Sequence, residues 1–319
     1  MKETHEFIAR AKGAMLGLAL GDALGTTLEF KPKDTYPPLI DMIGGGPFKL
    51  QAGQWTDDTS MMLCLADSLI DQNGHDADDQ MSRYVGWWQH GDNSVTGHCF
   101  DIGSTVVTAL KRYLETGEPN AGSRHNYSAG NGSLMRLTPV AIFYSRLRGF
   151  SESDLLHFAK ASSITTHAER RAVEACQITA WLLDRILCAG AIAPSKEGLF
   201  IELEQRWQDE PLHPELAELV RGAFITKPRD EIRGTGYVVA SLEAALWAFA
   251  NSDNFEQGAL LAANLGDDAD TTAAIYGQIA GAYYGAQSLP QHWLDKLYWR
   301  EEIEACAVEL VGVRASMGW

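Results

Sequence analysis

Glycine recurs at every fourth residue near one end of the chain, at Gly13, Gly17, Gly21 and Gly25, and a matching series, Ala273, Gly277, Gly281 and Gly285, lies near the other. A spacing of four places each series along one helix face, where glycine costs about 0.8–1 kcal/mol per position relative to alanine. That cost is offset when a second helix comes close enough to need the missing side chains. The two tracts are therefore expected to meet, the second as the last helix, and to bring Glu29 near Asp268. The alternative is that the first tract frays near Asp22, because glycine is a poor helix former.

Elsewhere the apolar residues also fall at helical spacing, as in Met61/Leu65/Leu69, Leu155/Phe158/Ala159, Ala172/Cys176/Ala180/Leu183, Val239/Leu242/Ala245/Leu246 and Ile275/Ile279/Ala282. Strand-like alternation is scarce. Glycine, proline and polar clusters mark loops at 32–38, 44–47, 117–132, 191–195 and 227–236. None reads as an interdomain linker, so residues 1–319 are expected to form one mainly helical domain whose long loops carry the function. Trp87 and Trp88 read as packing.

Two helix starts are unusually acidic. "GQWTDDTSMMLCLADSLI" puts Asp57 and Asp58 between Thr56 and Thr59, and "NLGDDADTTAAIYGQIAGAYYG" puts Asp267, Asp268 and Asp270 before Thr271 and Thr272. One such start is explained by the preference of Asp and Thr for first turns; two suggest a shared cation. Carboxylates and hydroxyls are hard donors, suited to magnesium, manganese or calcium rather than zinc or copper. An EF-hand counted from Asp268 would need Gly and Glu where the chain has Ala273 and Ile279. Asp268, Asp270 and Thr272 also spell the D-x-D-x-T of aspartyl phosphatases, but the residues that follow read as helix rather than as a parallel α/β sheet.

Further candidates lie between the acidic starts. Asp101 precedes a small-residue turn and a helix. Gly130, Asn131, Gly132 and Ser133 form a turn whose N–H groups could approach a phosphate or sugar. Thr166 and Glu169 have the spacing of a capping box, which would put a neutral His167 in a helix first turn. Gly234 and Gly236 flank Thr235 in a flexible turn that presents Tyr237, either to a base or ribose or to the core.

Lys and Arg total 26 against 42 Asp and Glu, a net charge of -16, and no basic cluster is present, so nucleic acid is not an expected partner. Five cysteines without a C-x-x-C pair argue against a disulfide framework or zinc site and fit a cytoplasmic protein. The apolar run from Ala14 to Leu20, with Glu3 and Glu6 before it, is a poor signal peptide, and no run is long enough for a membrane span.

Taken in order, "GAMLGLALGDALGTTLEF", "WTDDTSM", "DIGSTVVTAL", "GNGSLMR", "THAERRAVEAC", "GTGYVVASLEAALWA" and "GDDADTTAAIYGQIAGA" resemble the ADP-ribosylglycohydrolase family, particularly bacterial members related to the dinitrogenase reductase-activating glycohydrolases. The resemblance spans nearly the whole chain. It implies an all-α fold, a single compact orthogonal helical domain, and two divalent cations, Mg2+ or Mn2+. The implied reaction is hydrolysis of the bond between ADP-ribose and an acceptor. Thr56, Asp57 and Asp58 match the first metal-binding element, and Asp268, Asp270 and Thr271 the second, whereas Asp267 sits where the family often has glycine.

By the same resemblance, Glu29 matches a glutamate at the metals or the scissile bond, and Asp101, Gly130, Asn131, Gly132, Ser133, His167 and Tyr237 match substrate-contacting positions. Glu29 and Asp101 are the candidates for handling the proton. Residues 194–233 carry no matching motif and are a candidate for acceptor specificity. The expected partner is an ADP-ribosylated protein, with arginine as acceptor, or a small molecule containing ADP-ribose. Serine-linked ADP-ribose, O-acetyl-ADP-ribose, and a non-catalytic or toxin-binding role as an immunity protein are the alternatives. An added arm for plugging an ADP-ribosylating toxin has little room before Gly13.

Overall fold

In the computed structural model, which describes residues 2–190 and 192–312, the first glycine tract does not fray: helix α1 (Lys2–Gly25) runs unbroken past Asp22. The chain continues through α2 (Asp57–Asp71), α3 (Ala77–His90), α4 (Ser104–Thr116), α5 (Thr138–Phe143), α6 (Glu152–Ile164) and α7 (Arg170–Leu187). It then forms α8 (Lys196–Trp207), α9 (Pro214–Val220), α10 (Val238–Ala250), α11 (Phe255–Ala263), α12 (Ala269–Tyr284), α13 (Gln291–Leu294) and α14 (Arg300–Gly312). No strand occurs among the described residues; only isolated bridges pair Gly45 with Leu50, Ser123 with His167 and Gly130 with Tyr237. The architecture is all-α.

α1 and α12 form the centre of the molecule, antiparallel and in backbone contact. A side chain on Gly13, Gly17, Gly21 or Gly25 would strike the backbone of Gly281, Gly277, Ala273 or Ala269 respectively. The expected meeting is thus observed, with two corrections. The partner face is 269, 273, 277 and 281, because Gly285 lies beyond the helix end with φ 77°, and α12 is not the last helix, since α13 and α14 follow it. Removing four side chains from one face of α1 lets the helix axes approach, and the surrounding apolar residues bury both helices from nearly all sides.

The other helices surround this pair. α2, α5, α7, α10, α11 and α14 pack on α1, α12 or both and contribute to one continuous apolar core. Their ends are set by local chemistry. The Asp76 carboxylate accepts from the N–H groups of Asp78 and Asp79 at the start of α3, Ser151 and Asp154 form a reciprocal capping box on α6, and Gly91 ends α3 in the left-handed conformation. Trp87 is fully buried and Trp88 packs against the core, as expected for structural residues. All the predicted loops lie between helices; Ala191, in one of them, falls outside the described residues. No described helix is long and apolar enough to cross a membrane.

Candidate active site

The starts of α2 and α12 meet at the end of α1, and Asp22 is the residue that joins them. Its carboxylate accepts from the N–H and hydroxyl of Thr56, both at 2.8 Å, and from the N–H and hydroxyl of Thr59 at 3.0 and 2.7 Å. Thr56 occupies the N-cap position of α2 without capping it. Asp22, reaching across from α1, satisfies the free N–H groups instead.

The Thr56 side chain thereby turns into an acidic cluster. Its Oγ1 lies 2.8 Å from Asp22 Oδ1, 3.2 Å from Asp58 Oδ2 and 3.2 Å from Asp270 Oδ2, although the hydroxyl has one hydrogen to donate. Asp58 Oδ1, Asp270 Oδ1 and Glu29 Oε2 are buried without any hydrogen-bond partner. Oxygens of Asp22, Asp58 and Asp270 gather within 4.8 Å of one another, as do those of Glu29, Asp101 and Asp270, so Asp270 belongs to both groups. Converging, unsatisfied, buried carboxylate oxygens are groups that could hold a metal ion.

The electrostatics agree. Burial, reinforced by the Asp101 charge, pushes Glu29 up to about 10. Burial likewise raises Asp101 to about 7, against a stabilising hydrogen bond from Glu29, and raises Asp22 to about 6. Asp57, Asp58 and Asp270 are held well above the usual carboxylate range by burial first and by neighbouring carboxylates second. Positive charge placed among them would reverse these shifts.

A cleft of about 310 Å³ opens onto the cluster, lined by Glu29, Asp57, Asp101, Asp268, Thr271 and the Gly130–Gly132 turn. Asp268 accepts from Asn131 Nδ2 at 2.5 Å, and Thr271 Oγ1 donates to Asp58 Oδ2 at 3.4 Å. Asp267 contributes only main chain: its φ is 54°, its carbonyl accepts from the Phe30 N–H and its own N–H donates to Lys31. Glu29 and Asp268 are neighbours, as the glycine tracts led one to expect.

His167 closes the wall behind Gly130 and Gly132, where a side chain on Gly132 would meet its ring at 2.9 Å. It does not lie in a helix first turn. α7 begins three residues later, capped by the Glu169 carboxylate accepting from the Arg171 N–H, and Thr166 forms no capping box. Thr166 Oγ1 instead accepts from the fully buried Arg136 at 2.7 Å and contacts His167 Nδ1 at 2.9 Å. His167 is neutral, lowered to about 3, but by burial and the Arg136 charge rather than by a helix dipole.

Two other expectations change. Ser133 does not face the cleft; it is buried, with its hydroxyl 2.8 Å from Ser163 Oγ and 3.5 Å from Cys176 Sγ. The turn before Tyr237 is pinned rather than flexible, because Gly234 O accepts from the Asp268 N–H and Gly236 O from the Asn131 N–H. Tyr237 stands over a second, larger cavity of about 960 Å³ that shares Thr105, Gly130 and Gly236 with the cleft. Its hydroxyl bonds to Glu215 and accepts from Arg171 at 3.1 Å, and the Arg171 guanidinium lies 5.3 Å from its ring centre. Arg170 and Arg171 line this cavity together with Glu169, which pairs with Arg171 and caps α7, so two guanidiniums stand against one carboxylate, whereas the charged residues lining the cleft are all carboxylates. His213 and Glu215, from the segment 194–233 that has no matching motif, stand at its edge.

Asp22, Arg136 and Arg171 are the site residues that sequence reasoning missed. Asp22 is the one carboxylate inside an apolar, glycine-striped tract, which is itself a signal, since a charge buried in a helix face needs partners.

Comparison with known proteins places these features together. A family model described as ADP-ribosylglycohydrolase matches residues 3–318. The ADP-ribosylarginine hydrolase Tri1 of Serratia proteamaculans (strain 568) is 44% identical over 307 residues, 96% of this chain and 80% of that protein. The protein of the same name from Pseudomonas putida (strain GB-1) is 46% identical over 306 residues, 96% of this chain and 79% of its own length. The ADP-ribosyl-[dinitrogen reductase] glycohydrolase of Rhodospirillum rubrum is 30% identical, over 92% of each chain. A solved structure described as an ADP-ribosylglycohydrolase-related protein complex superimposes with a TM-score of 0.84 at 45% identity, covering 97% of this chain and 99% of that one.

Proposed function

We propose, since this chain belongs to the ADP-ribosylglycohydrolase family, that it hydrolyses the N-glycosidic bond joining ADP-ribose to arginine, at the carboxylate cleft and with divalent cations. Hydrolysis of a glycosidic bond is the activity of the family and of the relatives just described. The arginine acceptor is supported by the names of two relatives, each more than 40% identical. The observation that carries the reading is the set of unpartnered oxygens on Glu29, Asp58 and Asp270 beside a cleft that continues into a cavity lined by Arg170 and Arg171.

In this reading Asp58 and Asp270 would hold two cations, Mg2+ or Mn2+, with Thr56, Asp57, Asp268 and Thr271 as the further oxygen donors nearby. When bound, such cations orient ribose hydroxyls and make water a better nucleophile at neutral pH. Asp22 positions Thr56 and the first turn of α2. The diphosphate lies against Arg170 and Arg171, and the neutral His167 lines the cleft where the sugar sits.

Oxygens of Glu29 and Asp101 lie within 4.8 Å of one another, so the pair can take a proton from the attacking water and return it. The water oxygen bonds to the anomeric carbon as the carbon–nitrogen bond breaks. The proton ends on the departing nitrogen, and arginine leaves as its guanidinium. The acceptor is tested by incubating the protein with ADP-ribosyl-arginine, ADP-ribosyl-serine and O-acetyl-ADP-ribose and following free ADP-ribose. Arginine is expected to be released fastest, and equal rates from serine would overturn the acceptor assignment.

A further inference from the structure

The two cavities differ in charge, and the difference fixes the direction in which the substrate lies. A diphosphate belongs with the guanidiniums of Arg170 and Arg171, on the Tyr237 side. The bond to be cut belongs with Glu29 and Asp101. The acceptor must then leave on the side of the carboxylates away from Tyr237, and that side is aromatic.

Phe30 follows Glu29 directly, lines the carboxylate cleft but not the Tyr237 cavity, and is 66% exposed, whereas Thr26, Thr27, Leu28 and Glu29 before it are all buried. Phe100 directly precedes Asp101. Phe48 connects the two rings, 6.5 Å from Phe30 and 5.0 Å from Phe100 between centroids. Phe30 and Asp101 both have left-handed backbones, with φ 59° and 60°, and Phe30 is held in place by its N–H bond to the Asp267 carbonyl at 2.7 Å. Two strained residues from separate loops thus set the exposed Phe30 ring next to Glu29 and the half-buried Phe100 ring next to Asp101. One exposed ring backed by two half-buried ones, beside buried acidic groups, suits a planar, weakly hydrated cation: the ring attracts its face and the carboxylates its charge.

We propose that Phe30, backed by Phe48 and Phe100, is the surface on which the guanidinium of the acceptor arginine stacks, and so the residue that selects a cationic, planar leaving group. This rests on the arginine reading above and adds the residue that enforces it. Tyr237, whose hydroxyl and ring are already engaged by Glu215 and Arg171, serves the nucleotide side.

The test compares wild type, Phe30→Leu and Phe30→Tyr on an ADP-ribosyl-arginine peptide, with free ADP-ribose affinity measured by calorimetry for each. Phe30→Leu is expected to raise KM and lower kcat/KM about five- to tenfold, in keeping with the loss of one cation–π contact. Phe30→Tyr is expected to stay within about twofold of wild type, and ADP-ribose affinity to be unchanged in both. Phe48→Leu, which removes only the backing ring, is expected to give a smaller loss of the same kind and replaces Phe30→Leu should that variant fold poorly. Full activity of Phe30→Leu, or of Phe48→Leu where it stands in, would overturn the proposal. A parallel loss of ADP-ribose affinity would do so too, because it would put the ring on the nucleotide side. A wild-type protein that releases no ADP-ribose from the arginine peptide would instead overturn the arginine reading, and the proposal with it.

Discussion

Gly17 and Gly277 lie back to back, each where a side chain would collide with the carbonyl of the other. This contact holds α1 against α12 and thereby sets Glu29, at the end of one tract, beside Asp268, at the start of the other. Gly17→Ala is expected to cost about 3 kcal/mol or more, because neither backbone can yield without moving a helix. Urea denaturation measures it, and a variant as stable as wild type would show that the two helices can separate freely.

Asp22 is expected to matter as much for stability as for activity. Asp22→Ala removes the acceptor for two N–H groups and two hydroxyls at the start of α2, at a cost of about 2–4 kcal/mol. Asp22→Asn, which keeps one acceptor oxygen, is expected to lose less. A midpoint for Asp22→Ala equal to that of wild type would mean that the α2 start is held by something else.

The sequence was most legible where charge and helix period coincide. Aspartates and threonines ahead of an apolar run identified the starts of α2 and α12, and the four-residue glycine spacing identified the pairing of α1 with α12. It was less legible where one residue type has two competing uses. Thr166 has the spacing of a helix cap, yet Arg136 claims its hydroxyl and Glu169 caps α7 instead. Ser133 belongs to a turn that faces the cleft, but its own side chain points to Ser163 and Cys176, which no local pattern reveals. The role of Asp22 depends on a partner 34 residues away, and that of Arg171 on one 66 residues away.

Asp270 belongs to both acidic groups, so Asp270→Asn is expected to abolish hydrolysis. In chelator its melting temperature should equal or exceed that of wild type, since one of several crowded carboxylates is gone. Magnesium or manganese should raise the melting temperature of wild type and leave that of the variant nearly unchanged. Equal metal-induced shifts in both proteins would remove Asp270 from the cation site.

Glu29 and Arg171 are expected to fail in opposite ways. Glu29→Gln should lower kcat about 100-fold or more while ADP-ribose still binds, as loss of a proton-handling group does. Arg171→Gln should weaken ADP-ribose about tenfold and leave kcat close to wild type, as loss of a charged contact to the ground state does. Turnover and calorimetry on the same two variants separate the roles, and an interchange of the two phenotypes would reverse the assignment of the two cavities.

The central claim is that the carboxylates at the starts of α2 and α12 form a cation-dependent site for cutting ADP-ribose from arginine. The direct measurement is the release of free ADP-ribose from an arginine-ADP-ribosylated protein by wild type, first in chelator and then with magnesium or manganese restored. No release in chelator, and stoichiometric release of ADP-ribose with intact arginine once the metal is returned, is the predicted result; undiminished release in chelator, or none with either metal, would contradict it.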